Sequence, residues 1–100
     1  MASIDEKKQE YALDFNALVL SLGSSVIVHL GEAPDPVSGQ KREKPEFTMA
    51  QQSIDLLGML QEKTRGNLTP EEASFLENML FDLRMLYVQV SKRHAAPKKE

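Results

Sequence analysis

The sequence predicts an all-α fold, a small three-helix bundle. Two observations carry this. Three apolar runs recur at the helical spacing of three and four residues, and capping signals bracket them. What separates the runs is turn chemistry: a long proline-bearing stretch after the first and a short glycine corner after the second.

The first run is "DFNALVLSLGSSVIVHLG". Phe15, Leu18, Leu22, Val26 and Leu30 follow the helical period. Asp14 is placed to cap its start and Gly31 to close it in a left-handed conformation. Val26, Ile27 and Val28 are β-branched, so the C-terminal half carries some strand character. Val19, Leu20 and Ile27 widen the apolar face, and a helix this apolar is buried or meets a partner. Gly23, Ser24 and Ser25 form a small-residue patch over which another helix can approach closely.

Residues 32–46 hold three prolines and a glycine among many charges, which excludes regular structure across them. This is longer than most connections in compact domains. It reads as a crossover or a functional loop, with the crossover favoured.

Thr48 and Gln51 match a capping box and predict the start of the second helix. Ala50, Ile54, Leu57 and Leu60 continue it, to an end near Thr64. The third helix opens on Thr69, with Pro70 at its first position and Glu72 completing a second box. Its apolar series is Phe75, Leu76, Met79, Leu80, Leu83, Leu86, Tyr87 and Val90. Between them, "KTRGNLTPEE" reads as the corner of an antiparallel αα-hairpin. Lys63 and Arg65 complement a helix C-terminus, Gly66 closes it, and Asn67 can bond free backbone groups in the turn. A phosphate loop is a poor fit, because the stretch has one glycine and follows a helix. The expected organisation is a flexible segment over 1–12, one helical domain over 13–93 and a disordered basic tail over 94–100.

Composition narrows the function. The chain has 100 residues and no cysteine, so disulfides and thiol chemistry are excluded. Its 12 basic and 15 acidic residues give a net charge of −3, which argues against nucleic-acid binding. No run approaches the ~20 apolar residues of a membrane span, and the polar start "MASIDEKKQE" is no secretory signal. A cytoplasmic protein is expected. His29 and His94 are too far apart in sequence to suggest a ligand set, and the serines sit in no nucleophile elbow. Neither an enzyme nor a cofactor or metal site is expected. Arg84 interrupts the third apolar series, and it reads first as bridging an acid of a neighbouring helix, second as marking a partner contact.

The segments "FNALVLSLGSSVIVHLGEAPDP", "AQQSIDLLGMLQEKTRGNLTPEE" and "LFDLRMLYVQV" resemble a small bacterial family of domains of unknown function. The likeness covers roughly residues 13–91 and is most specific at Lys63 to Thr69, Ile54, Asp55, Arg84 and Tyr87. Its myxobacterial members resemble the RomX-type polarity proteins. That resemblance implies work with a response-regulator partner on a Ras-like small GTPase, promoting nucleotide exchange in cell polarity and motility. The residues are compatible with such a non-enzymatic protein-interaction module. Arg65, Asn67, Arg84, Tyr87, Gly23 and Ser24 are its candidate partner-binding residues. A structural homodimer and a small-molecule-binding helical domain are the alternatives.

Overall fold

A computed structural model describes residues 14–95. It holds three helices in the expected order: α1 (Phe15–His29), α2 (Phe47–Lys63) and α3 (Pro70–Ala95). Each helix contacts the other two. The segments 1–12 and 96–100, with Leu13, lie outside the described residues. Helix α3 carries on through His94 and Ala95, which the sequence assigns to the basic tail. Its acidic first turn and basic last turn both complement the helix dipole.

Helix α1 begins at Asp14, whose Oδ1 accepts the Ala17 N–H at 2.9 Å. It remains helical through Val26, Ile27 and Val28, because the fold buries Val26 completely against the other helices. Its end is a Schellman motif. Gly31 N–H donates to Val28 O at 2.9 Å, and Glu32 N–H donates to Ile27 O at 3.0 Å. Gly31 has φ +80°, and the carbonyl of Arg42 lies 3.0 Å from where a Cβ would stand. Both the torsion and the space therefore require glycine there.

Residues 32–46 form a folded crossover. Asp35 Oδ1 accepts the N–H groups of Val37 and Ser38 at 2.7 and 3.2 Å, and its carbonyl accepts Gly39 N–H at 2.7 Å. This Asx-type turn reverses the chain. The crossover is fastened at both ends. Glu46 N–H donates to His29 O at 2.7 Å, and Glu32 pairs with Arg93 of α3 at 3.1 Å.

The start of α2 departs from expectation. Thr48 does not cap it; the N-cap is Glu46, with no side-chain cap bond. The bond from Glu46 to His29 fixes the chain there, so Thr48 already lies inside the helix. Gln51 bonds Asp55 at 2.9 Å instead of reaching back to a cap.

The corner between α2 and α3 follows its sequence signals. Thr64 caps α2, and Asn67 N–H closes a turn onto Thr64 O at 2.8 Å. Gly66 sits within that turn at φ +87°. The capping box is reciprocal: Glu72 N–H donates to Thr69 Oγ1 at 3.1 Å, and Thr69 N–H donates to Glu72 Oε1 at 2.9 Å.

Val19, Val26, Leu30, Ala50, Ile54, Leu57, Leu76, Leu80, Leu83 and Val90 form one core shared by the three helices. Each leucine removed from water in this way stabilises the fold by roughly 1.5–3 kcal/mol. Gly23 is buried too, and the thioether of Met79 on α3 covers it. At one end of the hairpin, Phe47 packs edge-on to Tyr87, with ring centroids 5.4 Å apart and planes at 67°. His94 approaches the same ring at 6.3 Å. No described helix is long and apolar enough to cross a membrane.

Candidate functional site

The structure brings two of the six candidate residues together. Arg84 and Tyr87, one turn apart on α3, line a groove of about 260 Å³ with Gln51, Ile54 and Val88. Tyr87 is held from behind by Phe47. The Arg84 guanidinium reaches back over α2, where its Nη2 is 3.6 Å from the position a Cβ on Gly58 would take. A Cβ at Gly58 would meet the guanidinium at ordinary van der Waals distance. The expected bridge from Arg84 to an acid of a neighbouring helix does not form: among the described residues Arg84 has no ion-pair partner within 4.0 Å. Asp55 of α2 is bonded to Gln51 instead. The result is an unpaired cation at the edge of an apolar groove.

Arg65 and Asn67 stand apart from this groove, at the hairpin corner. Arg65 pairs with Glu62 one turn earlier at 2.6 Å, and both side chains are about two-thirds exposed (68% and 67%). Such a pair adds little stability and leaves both groups accessible. The Asn67 contribution to the turn comes through its backbone N–H.

Gly23 is buried beneath Met79 of α3. The close approach expected of the small-residue patch is made inside the chain, by Met79. Ser24 lies on the exposed side of α1, away from that contact. With Ser21, Ser25, Val28, His29, Asp35 and Pro36 it lines a depression of about 330 Å³ between α1 and the crossover. The Asp35 carboxylate there is engaged by two backbone N–H groups, which gives it a structural task. His29 Nδ1 is buried without a hydrogen-bond partner.

Sequence periodicity identified the core face of α3 and thereby the residues left off it. Phe81, Met85 and Val88 are exposed by 64%, 46% and 47%. Leu56 and Met59 of α2 are similarly exposed, by 46% and 50%, and line a shallow outer depression with Gln52 and Asp55. Exposed apolar side chains are ordinary when single, but grouped on one helix face they mark a contact surface. Among the described residues no charged or polar side chain is fully buried, and no three His, Asp or Glu side chains gather closely enough to hold a metal ion.

A family model described as a domain of unknown function (DUF1844) matches residues 12–89 of the chain. No curated protein and no solved structure matches it.

Proposed function

We propose that this protein, which belongs to the DUF1844 family of domains of unknown function, is a non-enzymatic protein-interaction module. The observation that supports this best is the unpaired Arg84 beside Tyr87 on the groove between α2 and α3. Arginine and tyrosine, with tryptophan, are enriched among the anchor residues of protein interfaces. The groove offers an apolar floor from Ile54 and Val88 and one positive charge. It suits a partner that presents an acidic side chain next to an apolar one.

We infer the module's role from the sequence resemblance to RomX-type polarity proteins. It acts with a response-regulator partner to promote nucleotide exchange on a Ras-like small GTPase. Exchange of this kind needs no covalent chemistry. The complex has only to bind the nucleotide-depleted state of the GTPase more tightly than the loaded one.

The test is release of a fluorescent nucleotide from the loaded GTPase, with and without this protein and the response regulator. Faster release with the full complex is expected. Arg84→Glu slows release toward the unassisted rate while the helical circular-dichroism signal is kept, and Arg65→Glu does so less. A release rate that the wild-type protein leaves unchanged would overturn the exchange role.

A further inference from the structure

The outer face of α3 has a symmetry that takes in Val88 at the edge of the groove and extends beyond it. Glu77 lies seven residues before Arg84, and Lys92 lies seven residues after Met85. Phe81 lies three before Arg84, and Val88 lies three after Met85. Ser74 and Ala95 stand ten residues out on either side, and both are small. All of these lie within α3 and all are exposed. At 3.6 residues per turn, Glu77, Phe81, Val88 and Lys92 fall within an arc of roughly 60°, centred about 135° round the helix from the buried Leu76, Leu80, Leu83 and Val90. The line Ser74, Phe81, Val88 and Ala95 repeats every seven residues, the spacing of a helix–helix seam.

We propose that this face pairs with the same face of a second copy of the chain, antiparallel, about a two-fold axis between Arg84 and Met85. In that register Phe81 of each copy meets Val88 of the other. Glu77 of each copy meets Lys92 of the other, so two opposite-charge pairs close the seam. Among the described residues neither Glu77 nor Lys92 has an ion-pair partner within its own chain. A two-fold contact must be complementary to itself, and this acid–apolar–apolar–base order is complementary only when reversed onto itself. A parallel pairing would set Glu77 against Glu77 and Lys92 against Lys92. The two arginines near the axis do not collide, because each guanidinium is drawn back over Gly58 of its own α2. The groove of Arg84 and Tyr87 then borders the seam, once on each side. This goes beyond the exchange role and requires no GTPase.

Sedimentation equilibrium of the full chain over a concentration series tests it. The mass should rise from the 11.2 kDa of one copy toward twice that value. Glu77→Lys and Lys92→Glu should each weaken association about tenfold, since attraction becomes repulsion at both ends. The double exchange, E77K with K92E, should restore it. Phe81→Glu should abolish it, and the exposure of that side chain leaves the fold intact. A wild-type chain that stays at 11.2 kDa throughout overturns the proposal, and the face is then left to a different protein. So does a dimer that all four variants leave unchanged, or one that the double exchange fails to restore. Nucleotide release measured on the wild-type chain separates the two readings, because a wild-type chain that stays monomeric and still speeds release refutes only the dimer.

Discussion

Met79 of α3 sits directly on Gly23 of α1, with its sulfur 2.7 Å from where a Cβ on Gly23 would stand. The neighbouring carbons Cγ and Cε come to 3.3 and 3.4 Å of the same point. A flexible thioether can give way, and alanine favours a helix over glycine by about 1 kcal/mol. Gly23→Ala should therefore change stability little. Gly23→Leu should cost roughly 1–3 kcal/mol by overpacking. Adding Met79→Ala should recover part of that loss, and non-additive urea midpoints would reveal the coupling.

The glycines with positive φ should rank by their surroundings. Gly66 has φ +87° and open space around its missing side chain, so Gly66→Ala should cost only the torsional penalty, about 1 kcal/mol. At Gly31 the same penalty is joined by the Arg42 carbonyl at 3.0 Å. Gly31→Ala should lower the melting temperature further than Gly66→Ala. The reverse order would show that the crossover does not press on Gly31.

The two threonines with box-like sequence contexts should behave differently. Thr69→Ala removes a real cap and should cost about 1 kcal/mol. Thr48→Ala removes none, because α2 is capped at Glu46, and should stay within about 0.5 kcal/mol of the parent. Denaturant midpoints of the two variants check this.

Adjacent leucines on α2 supply the test of its face. Leu57 is fully buried and Leu56 is 46% exposed. Leu57→Ala should cost roughly 2–5 kcal/mol, as should Leu80→Ala on α3. In a domain this small that loss can unfold the chain. Leu56→Ala should melt close to the parent. Equal losses at Leu56 and Leu57 would mean that α2 is rotated.

Features set by neighbours within four residues were legible in the sequence. Asp14, Gly31, Gly66 and the Thr69–Glu72 box all act over that range, and each appears where its pattern stands. Thr48 carries the same pattern and fails, because a backbone bond from His29, seventeen positions before Glu46, starts the helix first. The candidate site was harder to read for the same reason. Whether Gly23 received a helix of its own chain depended on the register of α3 against α1, which no local spacing encodes. In sequence, Arg84 is compatible with a bridge to an acid and with a partner contact, the bridge being the first expectation. Only the packing shows that it meets Gly58 and that Asp55 is already bonded to Gln51. Phe81, Met85 and Val88 were identifiable as residues outside the core series, but their palindromic order along α3 has meaning only once that face is known to be uncovered.

The crossover has a use in the laboratory. Its ends are fastened by the bonds Glu32 to Ile27 and Glu46 to His29, while Val37 at its tip is 96% exposed. Strain applied at the tip is therefore held off from both helices that the crossover joins. The entropic cost of a longer loop grows only with the logarithm of its length, about 0.6 kcal/mol for each doubling. A tetracysteine tag or a single fluorescent label can be placed between Val37 and Gly39 in a chain that has no cysteine of its own. Residues 37–39 neither line the Arg84 groove nor belong to α3, so a reporter there can follow either encounter.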